Sequence, residues 1–66
     1  NFFKQNLKKV YKNIFSVIFY DKYLSLEEII KKTGMPTREV ITQLTLMELE
    51  ELIEVEIGKG YRKKYE

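Results

Sequence analysis

The chain is expected to be mainly α with a small β-hairpin, in the arrangement of a winged helix-turn-helix: three helices plus a wing. Three observations predict this. Two helical patterns, the first led by a strong cap signal, are separated by only about three residues, which forces the sharp crossing of a helix-turn-helix. An alternating apolar segment, Leu52 to Ile57, follows them. It then turns back through Gly58-Lys59-Gly60.

Residues 6–20 are expected to form the first helix. Leu7, Val10, Tyr11, Ile14, Val17 and Ile18 recur at three- and four-residue spacing, so they share one apolar stripe facing the core. Lys8, Lys12, Phe15 and Phe19 flank that stripe and either cover the hairpin or meet another chain. Phe2 and Phe3 are a hydrophobic staple or the end of a linker. Asp21-Lys22 reads as a turn and Tyr23-Leu24 as a very short strand.

Ser25-Leu26-Glu27-Glu28 has the form of a capping box. The Ser25 hydroxyl can accept from the Glu28 amide while the Glu28 carboxylate accepts from the Ser25 amide. The second helix then runs to about Lys32, with Leu26, Ile29 and Ile30 facing inward. Lys31 and Lys32 fall in its last turn, where the helix dipole favours cations. Gly34 supplies a left-handed residue to end it. Pro36 suits a first helical turn, because its missing N–H had no helical partner there. The third helix runs from Pro36 to about Glu50, with Val40, Leu44 and Met47 as its inner line. In the strand that follows, Ile53, Val55 and Ile57 take one face and Glu54 and Glu56 the other. Tyr61 to about Lys63 returns as its partner.

Composition narrows the function. The chain has 66 residues, room for one small domain; domains of this size bury only about 60% of the surface that the unfolded chain exposes. It begins with Asn1, and we read it as a C-terminal piece of a larger protein. Cysteine and histidine are both absent, which removes disulfides, thiolate ligands and the commonest proton-transfer side chain. No apolar run approaches the roughly 20 residues of a membrane span, and no secretory signal pattern is present. The expected location is the cytoplasm. Glu27 and Glu28 are explained by the cap, and Glu48, Glu50 and Glu51 by the surface. No phosphate-cradling glycine loop occurs. The chain is therefore expected to be no enzyme, with no cofactor and no metal.

The net charge of +2 hides an uneven distribution. Residues 1–26 hold Lys4, Lys8, Lys9, Lys12 and Lys22 against Asp21 alone. Residues 46–57 hold Glu48, Glu50, Glu51, Glu54 and Glu56 and no base. Lys59, Arg62, Lys63 and Lys64 follow, against Glu66. Basic ends and an acidic waist direct any polyanion to particular faces.

Arg38, Thr42 and Thr45 project away from the inner line of the third helix, bordered by Thr37 and Gln43. Hydroxyls, an amide and a guanidinium suit hydrogen bonds to base edges and phosphates in a major groove. Lys59, Arg62, Lys63 and Lys64 make the wing a basic hairpin suited to backbone contact, which adds affinity but little sequence choice. The expected partner is double-stranded DNA, held weakly and with low specificity. The plainer reading is a polar helix face with a lysine-rich tail. The alternative function is protein interaction or self-association, through the first helix or through Leu46 and Leu49. Those leucines either mark such a contact or pack under the hairpin.

Four segments carry a family resemblance. They are Leu24-Ser25-Leu26-Glu27-Glu28-Ile29; Thr33-Gly34-Met35-Pro36; Leu44-Thr45-Leu46-Met47-Glu48-Leu49-Glu50; and Gly58-Lys59-Gly60-Tyr61-Arg62-Lys63. Together, over about residues 14–65, they resemble the C-terminal winged-helix domain of the bacterial DNA-processing protein DprA family. The resemblance implies a parent protein acting in natural transformation, or competence, and in DNA recombination. Such proteins bind incoming single-stranded DNA through a Rossmann-like domain and help load a recombinase. No residue of that domain lies in this chain. The winged helix is an accessory in the family, used for DNA binding or protein contact. One departure stands out: the family pattern usually has glycine where this chain has Glu51, which must then adopt a left-handed conformation or end the helix differently.

Overall fold

The computed structural model describes residues 9–65. Its elements are α1 (Lys12–Phe15), α2 (Leu26–Thr33), α3 (Thr37–Leu49), β1 (Ile53–Glu56) and β2 (Gly60–Lys63). The three helices and the antiparallel hairpin are the winged helix-turn-helix plan that the spacing predicts.

The first helix is much shorter than its apolar stripe suggests. Lys9 and Val10 are helical, but α1 ends at Phe15. Val17 N–H donates to Ile14 in a tightened last turn, and the Ser16 hydroxyl bonds the Asn13 carbonyl. Beyond this the backbone is needed elsewhere: the Phe19 carbonyl accepts from Lys63 N–H at 2.7 Å. That bond ties the segment after α1 to β2. Ile14 and Ile18 are buried as expected, whereas Val10 is 68% exposed. Phe2, Phe3, Lys4, Leu7 and Lys8 lie outside the described residues.

The helix boundaries on either side of the turn follow local chemistry. Both bonds of the Ser25–Glu28 capping box form, at 3.2 and 3.0 Å. Gly34 ends α2 in the left-handed region, φ 70°, and its N–H donates to Ile30. Pro36 caps α3 in an extended conformation and is not its first helical residue. At the far end Glu51 is left-handed, φ 61°. Leu52 N–H donates to Met47 O and Glu51 N–H to Glu48 O, the bond pair of a Schellman motif. Its apolar contact partners, Leu52 and Met47, are both buried.

Tyr23-Leu24 does form a minimal strand. Leu24 bridges Tyr61, exchanging two backbone hydrogen bonds of 2.8 Å, so β2 is paired on both edges. The hairpin register pairs Ile53 with Lys63 and Glu56 with Gly60, leaving Ile57, Gly58 and Lys59 as the turn. A Cβ at Gly60 would run into the Leu24 carbonyl, so the third strand requires glycine there.

One core joins these elements: Ile14, Ile18, Leu24, Ile29, Val40, Leu44, Met47, Leu52 and Ile53, with Tyr11, Phe15, Val17, Leu26, Ile30, Met35 and Tyr61 packed around it. The expected apolar strand face is only partly realised. Ile53 is buried, but Val55 is 40% exposed and Ile57 98%. Only the base of the hairpin rests on the helices, and its tip extends past them.

Candidate nucleic-acid interface

The first turn of α3 offers polar groups at the surface. Thr37, Arg38 and Glu39 open the helix, and the first backbone bond back to the cap is Val40 N–H to Pro36 O. The preceding amides of the turn have no partner within the helix, as at any helix start. Thr37, Arg38, Thr42 and Thr45 are all exposed. Successive residues advance about 100° around the axis, which puts Arg38, Thr42 and Thr45 near one line, opposite buried Val40, Leu44 and Met47. Among the described residues Arg38 makes no ion pair.

Two expected contacts change character. The Thr45 hydroxyl donates to the Ile41 carbonyl at 2.8 Å, so its proton is committed. Gln43 is only partly exposed; its Nε2 donates to Glu39 Oε1 at 3.5 Å, and its Oε1 is buried without a partner. Gln43 thus turns away from the outer line, because it lies on the flank between that line and the core.

The wing cations are less available than their sequence suggests. Arg62 donates from Nε and Nη2 to Glu54 Oε1 at 2.9 and 2.8 Å, and its Cζ lies 4.8 Å from the Tyr23 ring centre. The Glu54 hydrogen bond, more than any other contact, raises the guanidinium above its usual pKa. Cross-strand register explains the pair, since Glu54 faces Arg62. Lys63 Nζ sits 4.6 Å from Phe15 and 5.2 Å from Tyr20. Lys64 Nζ is 3.8 Å from Glu51. Lys59 alone of the four stands exposed on the turn, with a loose approach of 5.9 Å to Tyr23.

The aromatic partners of these cations are Phe15, Tyr20 and Tyr23, and their pairing with the wing was not read from the sequence. Phe15 takes the first of its two expected roles and covers the hairpin at Lys63. Phe19 lends only its backbone carbonyl to the hairpin; its side chain is exposed, with Lys22 Nζ 4.6 Å from the ring centre. Tyr65 stacks on Tyr20 with centroids 5.1 Å apart and closes the same seam.

The far half of α3 is of opposite character. Leu46 and Leu49 are 42% and 72% exposed, so Leu49 does not pack under the hairpin. Ile41 beside them is also exposed, and Glu48, Glu50 and Glu51 surround that end. No described helix is long and apolar enough to cross a membrane.

Comparison with known proteins agrees with this architecture. The family model described as the DprA winged helix domain matches residues 5–59. No curated protein and no solved structure matches the chain.

Proposed function

This chain belongs to the DprA winged helix domain family, and from that premise we propose that it is an accessory DNA-contacting module of a DNA-processing protein. The module holds double-stranded DNA weakly and with little sequence preference. It acts in the cytoplasm, in the uptake and recombination of DNA, and carries no catalysis of its own. The observation that supports this most directly is the exposure of Arg38 and Thr42, with Thr37 bordering them, at the start of α3, and of Lys59 on the wing. The free amides of the α3 first turn favour a phosphate at the same place. The affinity is low because α3 brings one base to the groove, while Arg62 and Lys63 are already engaged within the domain.

Titration of a labelled duplex and a labelled single strand at two salt concentrations tests the reading. Binding to the duplex, weakened by salt, is the expected result. Arg38→Ala and Thr42→Ala should each weaken it through lost groove contacts. No binding at low salt would eliminate the proposal.

A second reading, contact with another protein, is favoured by Ile41, Leu46 and Leu49. A helix that inserts into a groove along its whole length gains nothing from exposed leucines next to carboxylates.

A further inference from the structure

The wing carries a cation whose bonding capacity the domain uses only in part. Tyr61 pairs with Leu24 on one edge and Val55 on the other, and it packs against the core. Side chains alternate along a strand, so Arg62 stands on the opposite, outer face. Glu54 faces it from β1, and Tyr23, next to Leu24, brings its ring centre to 4.8 Å from Cζ. A single carboxylate oxygen, Glu54 Oε1, accepts from both Nε and Nη2. A guanidinium carries five N–H donors. Among the described residues Nη1 has no acceptor. The Arg62 and Glu54 side chains remain 29% and 38% exposed.

Such a pair is exchangeable. Exposed carboxylate–guanidinium contacts are weak and screened by salt, and a phosphate accepts the same fork of N–H groups. Lys59 Nζ approaches the same Tyr23 ring at 5.9 Å. A phosphate drawn to Lys59 therefore arrives beside the Arg62 guanidinium. There it meets Glu54, which repels it and holds the edge of Arg62 that it would bind.

We propose that Arg62 is a latent phosphate contact of the wing, withheld by Glu54, which competes with the DNA backbone for the guanidinium. This rests on reading the domain as a duplex-binding module. Lys59 supplies the contact that is already open, and Glu54 sets how much the wing can add to it. Glu56 is the natural control. It lies on the same face of β1 as Glu54, opposite Gly60, and makes no ion pair among the described residues. Removing its carboxylate changes the net charge equally and frees no cation.

Titration of a labelled duplex with the 66-residue chain at several salt concentrations is the test. Threonine suits a strand and is too short to hold Arg62, so Glu54→Thr is compared with Glu56→Thr. At the lowest salt Glu54→Thr should bind roughly two- to fivefold more tightly than Glu56→Thr, the scale of an exposed ion pair. Its slope of log affinity against log salt should be steeper by about 0.9, one further phosphate. The double variant Glu54→Thr/Arg62→Ala should return to the affinity and slope of the unsubstituted chain, because it lacks both the cation and its competitor. Thermal melts should show all three variants folded. If Glu54→Thr unfolds, Glu54→Gln, which keeps the shape and removes the charge, takes its place with the same expectation. Equal affinities and slopes for the Glu54 and Glu56 variants would overturn the proposal and leave duplex binding standing. A double variant weaker than the unsubstituted chain would also overturn it, since Arg62 would then reach phosphate despite its partner. Binding by Glu54→Thr alone, with none by the unsubstituted chain, would support the proposal and end the reading of that chain as a duplex binder. No binding by either would end both.

Discussion

At the residue scale, Ser25 and Glu28 show how much a local signal can settle. Two orphan groups at the start of α2 satisfy each other, and the arrangement needs nothing from the rest of the fold. Ser25→Ala should lower stability by about 0.5–2 kcal/mol, read from denaturant melts. An unchanged midpoint would place the start of α2 elsewhere. The Ser25 backbone N–H, then its hydroxyl, hold the Glu28 carboxyl below the ordinary glutamate range. A lowered pKa stabilises the fold where the group is charged in both states, above the ordinary glutamate range of about 4.3. The contribution should therefore be constant near neutral pH and disappear as pH falls through the lowered value. Thermal melts of Glu28→Gln against the parent protein should converge as the solution is acidified. Curves that stay parallel down to pH 3 would show that the carboxylate makes no such contribution.

Glu51 is the opposite case, a residue whose local preference is overridden. Its φ of 61° costs a non-glycine side chain about 1 kcal/mol, yet the Schellman bonds hold it there. The nearby Lys64 ion pair is long and exposed and offsets little of this. Glu51→Gly should accordingly raise the unfolding midpoint. A fall would mean that its carboxylate matters more than its backbone.

At the scale of elements, the wing is a three-strand unit, because the short strand expected at Tyr23-Leu24 pairs with β2 through Leu24 and Tyr61. The hairpin turn could be read from Gly58 and Gly60, but the two glycines do different work. Gly58 has open space around it, and its requirement is a positive φ alone. Gly60 also lets the Leu24 backbone approach β2. Gly60→Ala should thus destabilise the domain considerably more than Gly58→Ala and expose the Leu24 and Tyr61 amides to hydrogen exchange. Equal losses for the two would remove the third strand from the account. The segment after α1 is also linked to the wing. Periodicity marked residues up to Ile18 as apolar on one face, and Ile14 and Ile18 are indeed buried. Ile14 lies within α1 and Ile18 beyond its end, in the segment that is tied to β2 by the bond from Lys63 N–H to the Phe19 carbonyl.

At the scale of the whole molecule, the wing cations divide into those that hold the domain together and one that is free to meet a ligand. Lys63 lies against Phe15 and Tyr20 and ties β2 to the body, whereas Lys59 stands on the turn. Lys59→Ala should reduce the slope of log affinity for duplex against log salt by about 0.9, with stability unchanged. Lys63→Ala should lower stability by about 0.5–1 kcal/mol. Its effect on the salt slope should be smaller than that of Lys59→Ala. The reverse pattern would place the phosphate contact on the strand and not on the turn.

Much of this protein was determined by its sequence alone. The cap at Ser25, the glycine stop at Gly34, the inner line Val40–Leu44–Met47 and the glycine turn are short-range features. Their physics acts within a few residues, so the plan of three helices and a wing was legible without coordinates. The availability of side chains was not. Whether Arg62, Lys63, Gln43 or Val10 faces a partner, the solvent or the domain itself depends on residues distant in sequence: Glu54 opposite Arg62, Phe15 and Tyr20 under Lys63, the flank position that turns Gln43 inward, and a core already filled by Ile14 and Ile18. Composition counts charges and apolar groups. Only the tertiary packing decides which of them are already satisfied, because a side chain engaged within the fold must break that contact before it can make another.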